Sequence, residues 1–164
     1  MQLDSKMVYL LLGSNLGEKE LLLNSAIFKI SEQIGTICTQ SSFYETAAWG
    51  VEDQPSFFNI ALGVETTFTA MEVLEKALHI EEELGRVRNE KWGARLIDID
   101  IILYGEEIIN EGEKLQVPHP QMQNRRFVLE PLAEIAADIF HPVLKQTISE
   151  LLVSLNDNLT VSKI

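Results

Sequence analysis

The chain has 164 residues, 46% of them hydrophobic, which is long enough to bury a core without disulfides or a structural metal. Its formal net charge is −12, which argues against broad contact with nucleic acid or an anionic membrane, although a small phosphorylated ligand needs only a local basic pocket. Cys38 is the only cysteine in the sequence, which excludes an intramolecular disulfide and a thiolate zinc site and is consistent with a reducing cytoplasm.

The first part of the chain predicts a strand, a helix and a further strand. Residues 1–6 lack the features of a signal peptide and no apolar run approaches membrane-spanning length, so we expect a soluble cytoplasmic protein. Residues 7–12 are a short apolar run that predicts a buried strand ending in a turn. Residues 18–34 have helical spacing and stop at Gly35, and residues 37–44 alternate as a strand does.

The middle of the chain predicts a strand and a second helix, each with one residue that departs from the apolar pattern. Residues 57–65 alternate as a strand, with Asn59 on the face opposite to the apolar residues. Residues 69–84 have helical spacing, and the predicted apolar face contains Leu74, Ala77, Leu78 and Leu84. Glu81 falls on that same face, so we interpret it as a hydrogen-bonding partner near a ligand, with a solvent-facing carboxylate as the alternative.

The most informative segment is residues 95–103, an apolar run that contains two aspartates two residues apart. In a strand, Asp98 and Asp100 face the same way, and the opposite, packed face is predicted to contain Ile97, Ile99, Ile101 and Leu103. Two close carboxylates hold a divalent cation or share a proton, unless they belong to a solvated strand face. The nearby arginines, which suit phosphate oxygens, are Arg86, Arg88, Arg95, Arg125 and Arg126. We therefore predict a site for Mg²⁺ and a nucleotide.

The remaining segments complete an alternating order of strands and helices. Residues 86–94 lack apolar periodicity and predict a polar loop that closes over a ligand. Residues 106–117 predict a small hairpin, and residues 125–137 and 146–155 predict two helices. The order strand, helix, strand, strand, helix, strand predicts an α+β ferredoxin-like sandwich, an antiparallel sheet with helices packed on it, as a single domain over residues 1–164.

A series of motifs covers nearly the whole chain in one order and spacing. They are Gly13-Ser14-Asn15-Leu16-Gly17, Ser42-Phe43-Tyr44-Glu45-Thr46, Asp53-Gln54-Pro55 with Phe58-Asn59, Gly85-Arg86-Val87-Arg88, Trp92-Gly93-Ala94-Arg95, Asp98-Ile99-Asp100-Ile101, and Val117-Pro118-His119 with Asn124-Arg125-Arg126-Phe127. In this combination the chain resembles the 6-hydroxymethyl-7,8-dihydropterin pyrophosphokinase family of folate biosynthesis. The resemblance implies transfer of pyrophosphate from ATP to the hydroxymethyl group of the pterin, with two Mg²⁺ ions on a ferredoxin-like fold.

The resemblance also implies roles for individual residues. Asp98 and Asp100 would bind both Mg²⁺ ions, and with Arg86 and Arg95 they would form the catalytic set. The pterin would be bound by Thr46, Ala47, Trp49, Phe57, Asn59 and Phe127. ATP would be bound by Glu81, Arg86, Arg88, Trp92, Arg95, Ile101, Lys114, His119 and Arg125. Phe57 and Phe127 would sandwich the pterin ring and Asn59 would bind its amide edge, whereas spacing alone favours two core phenylalanines.

The chain departs from the family pattern at a few positions, and two other functions are open. Ala47-Ala48 replaces a common Pro-Pro pair, Pro120 replaces an aromatic residue and Lys114 replaces an arginine, which affects details of the pterin wall and the nucleotide contacts. The alternatives are a nucleotidyl or glycosyl transferase and a regulatory ligand-binding module of the same architecture. We expect a monomer that binds two small-molecule substrates and neither nucleic acid nor membrane.

Overall fold

The structure is a computed structural model, which describes residues 4–15, 18–46, 56–86, 97–157 and 159–164, with Arg86 described only in its main chain. The strands are β1 (Lys6–Ser14), β2 (Thr36–Gln40), β3 (Tyr44–Thr46), β4 (Phe57–Thr66), β5 (Asp98–Tyr104), β6 (Ile109–Asn110), β7 (Gln116–Val117) and β8 (Val161–Lys163). The α-helices are α1 (Lys19–Gln33), α2 (Ala70–Arg86), α3 (Arg126–Ala136) and α4 (Ile148–Ser154), and a short 3₁₀ helix spans Met122–Asn124. Within the ranges just given, no helix has the length and apolar character needed to cross a membrane.

The main sheet is antiparallel, and β1 and β4 are adjacent strands in its interior. β1 pairs with β4 on one side and with β5 on the other. β4 also pairs with β2 along one part of its length and with β3 along another, and β3 pairs with β8. Counting β2 and β3 as one interrupted strand, this is the strand order of the predicted ferredoxin-like fold, which is confirmed. The predicted hairpin and the four predicted helices are also present.

The predicted strand over residues 37–44 is interrupted at Ser41. The Ser41 N–H donates to the carbonyl of Ala61 over 2.9 Å, and the Ser41 hydroxyl accepts the N–H of Ala61 over 2.9 Å. The side chain therefore takes over a hydrogen bond that a backbone carbonyl makes in a regular ladder, and the edge strand divides there into β2 and β3. β8 was not predicted, because its three residues carry no pattern and its pairing partner lies far away in sequence.

Helices cover both faces of the sheet and enclose two groups of buried residues. The principal core, under α1 and α2, includes Val8, Leu10, Leu12, Leu23, Ile30, Ile60, Leu62, Val73, Ile80, Ile97, Ile99 and Ile101. The second core, under α3 and α4, includes Leu11, Ala61, Ile102, Leu103, Met122, Val128, Leu129, Leu132, Ile148 and Leu151. β1 contributes alternate residues to each core, which explains why it reads as an almost continuous apolar run.

The prediction that Leu103 packs with Ile97 is wrong, because β5 contains a β-bulge. Leu10 pairs with Ile101 and Tyr9 pairs with Leu103, which leaves Ile102 as an extra residue between them. Beyond the bulge the alternation of faces is reversed, so Leu103 belongs to the second core. Tyr104 returns to the principal core, where its hydroxyl donates to the carbonyl of Phe68 over 2.6 Å.

The apolar face predicted for α2 is rotated from the observed one. Val73, Ala77 and Ile80 are buried, whereas Leu78 is 46% exposed. These buried positions follow the i, i+4, i+7 spacing of one helical face, and Leu74 and Leu84 pack at its border. Glu81 lies beside the buried face rather than within it.

Glu134 on α3 holds this helix against the edge of the sheet. Its carboxylate accepts the N–H and the hydroxyl of Ser42 and the hydroxyl of Tyr44, each over 2.9 Å, and lies 3.6 Å from the ammonium of Lys163. Partial burial opposes ionisation of this carboxyl. The hydrogen bonds from Ser42 and Tyr44 outweigh that effect, so the pKa of Glu134 is lowered.

We expect Glu134→Gln to reduce the loss of stability in acid. A carboxylate with a lowered folded-state pKa stabilises the fold above its unfolded value of 4.5, and this contribution is lost as pH falls through the folded pKa. Urea unfolding at pH 7 and at about pH 4 should therefore show a smaller pH difference for Glu134→Gln than for the wild type. Glu75→Gln, an exposed change on α2, is the matched control. Equal pH dependence in the wild type and Glu134→Gln would contradict the assignment.

Candidate functional site

The central strands place a row of polar and small residues on one face of the sheet. In the register of these strands, Gly13 of β1 lies opposite Asn59 of β4 and also opposite Asp98 of β5. Leu11 lies opposite Asp100 in the same way. Residues two apart on a strand share a face, so all five residues lie on the same face of the sheet. We call these five residues the site floor.

A cavity of about 920 Å³ lies above the site floor. Phe57 and Phe127 line it, as do Thr46 and Arg125, and Phe57 is 38% exposed. Two aromatic side chains beside a few polar groups are typical of a site for a flat, partly polar ligand. The structure thus brings predicted residues from four separate segments into one cavity. These residues are Thr46, Phe57, Asn59, Asp98, Asp100, Arg125 and Phe127.

Two buried oxygen atoms in this cavity have no hydrogen-bond partner among the described residues. They are Asn59 Oδ1 and Thr46 Oγ1. Asn59 Nδ2 donates to the carbonyl of Leu12 over 3.3 Å, which fixes the orientation of the amide. Leaving a buried polar atom unpaired costs about 1 to 3 kcal/mol, so native proteins pair nearly all of them. Two such atoms at one cavity indicate that a ligand completes their hydrogen bonds.

Gly13 leaves the room that the Asn59 amide occupies. A Cβ atom placed on Gly13 would lie 2.5 Å from Asn59 Nδ2, closer than real Cβ contacts allow. Any other residue at this position would displace the amide from its bond to Leu12. The absence of a side chain also keeps the floor flat between Asn59 and Asp98. The sequence motif around Gly13 was recognised, but this contact to Asn59 was not predicted.

Glu81 holds the strand that carries the two aspartates. Its Oε2 atom accepts the N–H of Ile99, the residue between Asp98 and Asp100, over 2.6 Å. β5 pairs only with β1 among the described strands, so its other edge has no strand partner. Glu81 therefore satisfies a backbone donor on that edge and fixes the strand at the aspartate pair. Sequence spacing alone did not indicate this contact with the strand.

The two aspartates present oxygen ligands to the cavity. Asp98 is half-buried and Asp100 is exposed. Among the residues that the structure describes, no group of three or more histidine, cysteine and acidic side chains could hold a metal ion on its own. Mg²⁺ is usually held by one or two carboxylates while water and substrate phosphates supply the other oxygens, so this pair fits Mg²⁺ and not a closed protein cage.

A second hollow of about 410 Å³ adjoins the first at Asp100. The predicted residues Ile101, Lys114 and His119 line it, together with Leu74 of α2 and further residues of β5 and the β6–β7 hairpin. Asp100 borders both cavities, whereas Asp98 borders only the larger one. The carboxylate pair therefore lies at the junction between two compartments.

His119 reaches this junction in its neutral form. Its N–H donates to the carbonyl of Ile102 over 2.9 Å, and its ring Nδ1 accepts the N–H of Gln121 over 3.1 Å. Burial lowers the pKa of His119, nearby Asp100 raises it and Arg125 lowers it, with a net downward shift. Because Nδ1 is an acceptor, the neutral ring carries its proton on Nε2. That N–H is a donor suited to an anionic oxygen.

The two arginines at the start of α3 have different surroundings. The guanidinium of Arg125 lies 5.7 Å from the centre of the Phe127 ring and lines the larger cavity. Arg126 turns away, with its guanidinium bonded to Glu130 and to the carbonyl of Asp157 over distances of 3.3 to 3.4 Å. Arg126 thus has a structural role. The remaining predicted site residues, Ala47, Trp49, Arg88, Trp92, Arg95 and the side chain of Arg86, lie outside what the structure describes.

Several cavity residues were not predicted. Leu11 belongs to the first apolar run and gives no sign of its position at the site. Asn156, Asp157, Leu159 and Thr160 line the larger cavity from the segment between α4 and β8. This segment is polar and has no periodicity, so only its three-dimensional position reveals its contact with the site.

Comparison of the sequence with known proteins identifies one matching family. The model of the family described as 7,8-dihydro-6-hydroxymethylpterin-pyrophosphokinase (HPPK) matches residues 9–137. The chain is similar to the 2-amino-4-hydroxy-6-hydroxymethyldihydropteridine pyrophosphokinase of Haemophilus influenzae, with 42% identity over 92% of this chain and 93% of the relative. The enzyme of the same name from Bacillus subtilis is 43% identical over 82% of this chain and 81% of the relative.

The fold is also similar to solved structures of fused proteins. A crystal structure of Plasmodium falciparum HPPK-DHPS has a TM-score of 0.73 at 16% identity and covers 93% of this chain. The chain spans 46% of that solved chain. A structure of an HPPK-DHPS in complex with substrates has a TM-score of 0.73 at 14% identity. At these identities the likeness concerns the fold alone.

Proposed function

Because this chain belongs to the 7,8-dihydro-6-hydroxymethylpterin-pyrophosphokinase family, we propose that its two adjoining cavities hold the two substrates of that enzyme. The enzyme transfers pyrophosphate from ATP to 6-hydroxymethyl-7,8-dihydropterin in folate biosynthesis. The pterin occupies the larger cavity above the site floor, and ATP occupies the second hollow. The observation that carries this assignment is the position of Asp100 on the border of both cavities.

The larger cavity matches the shape and polarity of a pterin. Phe57 and Phe127 offer aromatic faces to a flat ring, which is worth roughly 0.5 to 1.5 kcal/mol per ring pair beyond burial. The unpaired oxygens of Asn59 and Thr46 accept hydrogen bonds from the amino and ring N–H groups at the edge of the pterin. The flat floor over Gly13 lets the ring extend from Asn59 toward Asp98, and this brings the hydroxymethyl group to the carboxylate pair.

Asp98 and Asp100 would hold Mg²⁺, as two ions, in this proposal. When bound, Mg²⁺ neutralises phosphate charge and lowers the pKa of the substrate hydroxyl. The chain itself contributes the two carboxylates on one strand face and Glu81, which fixes the strand between them. Nothing in the described site is placed as a dedicated general base, and positioning of the two substrates supplies much of the remaining acceleration.

The neutral His119 and the cationic Arg125 act on the phosphates. The Nε2–H of His119 donates to a phosphate oxygen from the second hollow, and Arg125 offers its guanidinium from the side of the pterin. Arg86, Arg88, Arg95 and Trp92 join them from the segment after α2, together with Lys114 and Ile101 at the nucleotide. Ala47 and Trp49 complete the pterin wall in the same proposal. These roles follow the motif positions given above.

An assay for AMP release tests the proposed function. The purified chain with ATP and Mg²⁺ should release AMP only when 6-hydroxymethyl-7,8-dihydropterin is present, in a one-to-one ratio with the pterin diphosphate. ATP consumption without AMP release that depends on a sugar or a polynucleotide would favour another transferase, because nucleotidyl transfer releases pyrophosphate. Tight binding of either ligand without any AMP release would favour a regulatory module. Omission of Mg²⁺ with excess chelator should abolish turnover.

We propose that residues 1–164 act as one pyrophosphokinase domain, as a cytoplasmic monomer. The net charge of −12 supports a soluble protein without a nucleic-acid partner. The described part of the site draws on β1, β3, β4, β5, α3 and the segment before β8 of one chain. Sedimentation or light scattering at working enzyme concentration tests the oligomeric state.

We expect Gly13→Ala to weaken pterin binding while the protein stays folded. The added Cβ must displace the Asn59 amide, which costs a buried polar contact and reduces affinity roughly tenfold. Alanine in place of a strand glycine does not itself oppose strand formation. Calorimetry should show near-normal binding of a nonhydrolysable ATP analogue. Gly63→Ala, which meets the Thr39 side chain far from the site floor, is the control, and equal pterin affinities for both variants would refute the contact.

A further inference from the structure

The C-terminal segment forms a wall of the pterin cavity that the family motifs do not include. We define the C-terminal wall as Asn156, Asp157, Leu159 and Thr160, which line the larger cavity together with Phe57 and Phe127. The family model matches residues 9–137 and therefore ends before this wall.

Asp157 joins the C-terminal wall to the first turn of α3. Its Oδ2 atom accepts the backbone N–H of Arg126 over 3.1 Å, and its carbonyl accepts two bonds from the Arg126 guanidinium over 3.3 and 3.4 Å. Its Oδ1 atom accepts the N–H of Leu159 over 2.9 Å. Both carboxylate oxygens are thus in use. The pKa of Asp157 is lowered, mainly by the hydrogen bond from the Leu159 N–H. The hydrogen bond from the Arg126 N–H and the charge of Arg126 lower it further.

The bond to the Arg126 N–H acts as a helix cap supplied from a distant part of the chain. α3 begins at Arg126, and the residue at its N-cap position, Arg125, makes no capping bond with its side chain. The first N–H groups of a helix need partners from outside the helix, and a carboxylate there also interacts favourably with the helix dipole. Asp157, 31 residues further along the chain, supplies both the hydrogen-bond acceptor and the negative charge.

The residues on either side of the capped N–H face the substrate. Arg125 and Phe127 flank Arg126 and both line the pterin cavity. The opposite end of the C-terminal wall is held by β8, where Val161 pairs with Thr46, which also lines the cavity. The wall is therefore fastened to α3 at one end and to β3 at the other, and its geometry is coupled to both.

We propose that Asp157 is a positioning residue for pterin binding, which holds the C-terminal wall against α3 and keeps Phe127 and Arg125 oriented toward the cavity. The inference rests on the proposed function. It assigns Asp157 no contact with the reacting atoms. None of the residues in the second hollow belongs to the C-terminal wall or to the first turn of α3. Loss of the Asp157 carboxylate should therefore weaken pterin binding more than nucleotide binding, which involves this part of the site only through Arg125.

Calorimetry with each ligand separately tests this proposal. We expect Asp157→Ala to weaken pterin binding roughly three- to thirtyfold, the size of a lost helix cap expressed as affinity. Binding of a nonhydrolysable ATP analogue should weaken less than pterin binding, because Arg125 is the only proposed nucleotide ligand next to the capped N–H. Asp157→Asn keeps one acceptor oxygen and should give a smaller loss. Asp138→Ala, an exposed aspartate near the end of α3, should match the wild type.

The outcomes separate this inference from the proposed function. Pterin affinity equal to that of the wild type in Asp157→Ala would overturn the positioning role, as would equal losses for both ligands. If Asp157→Ala does not fold, Asp157→Asn decides, and unchanged pterin binding in it would overturn the role. A wild-type chain that binds no pterin would overturn the proposed function itself, and the inference with it. A selective loss of pterin binding, partly restored by asparagine, supports it.

Discussion

Replacement of either Asp98 or Asp100 by alanine is expected to abolish pyrophosphoryl transfer while the protein remains folded. Loss of one metal-binding carboxylate removes several kcal/mol of transition-state stabilisation, which corresponds to a decrease of roughly a thousandfold or more in turnover. The fold should persist, because Asp100 is exposed and Asp98 only half-buried, while the neighbours Ile99 and Ile101 provide the packing of β5.

Turnover and circular dichroism should be measured on the same preparations of the two aspartate variants. Asp4→Ala, an exposed aspartate ahead of β1, is the matched control and should retain wild-type turnover. Asp100 borders both cavities, so its variant should also weaken the Mg²⁺-dependent binding of the ATP analogue. Near-normal activity in both variants at saturating Mg²⁺ would refute the metal assignment.

Asn59→Ala should separate the two substrates. Its Oδ1 atom is buried and has no partner among the described residues, and its Nδ2 atom is already bonded to the carbonyl of Leu12. Without this acceptor, a donor at the edge of the pterin is left unpaired, which reduces the binding free energy by about 1 to 3 kcal/mol. We therefore expect pterin affinity to fall tenfold or more. Phe57→Ala and Phe127→Ala should have effects of similar or smaller size, because stacking contributes roughly 0.5 to 1.5 kcal/mol per pair.

The ATP analogue should bind Asn59→Ala as it binds the wild type, since Asn59 does not line the second hollow. Calorimetry with each ligand alone measures both affinities. Asn24→Ala, an exposed asparagine on α1, controls for the loss of an amide elsewhere. A variant that kept its pterin affinity and lost nucleotide affinity would show that the two substrates had been assigned to the wrong cavities.

The elements that could be predicted are those whose pattern is local. The apolar run of β1, the alternation in β4 and the helical spacing of α1 all give their elements within a few residues. The aspartate pair was also evident, because two carboxylates in an apolar strand share a face wherever the strand lies. The strand order followed from the order of elements, since few topologies connect them without crossings.

The features that escaped prediction depend on contacts between distant segments. The bulge at Ile102 arises from pairing with β1 and reverses the face of Leu103, which the continuous apolar run from Ile101 to Tyr104 does not reveal. β8 forms only because β3 offers it an edge. The same is true of the site. Asp157 is held at the cavity by its hydrogen bond to Arg126, and the sequence around Asp157 does not indicate that partner.

The central position of β1 has a consequence for how the chain is made. Val8 pairs with Val64 on one side and with Tyr104 on the other, so the first strand to leave the ribosome has both edges covered only after β5 has been made. At translation rates of roughly 5 to 20 residues per second, it waits roughly 5 to 20 seconds for β5. Such non-local pairing slows folding. The apolar side chains of β1 therefore need protection during synthesis, and the chain cannot be divided into halves that fold separately.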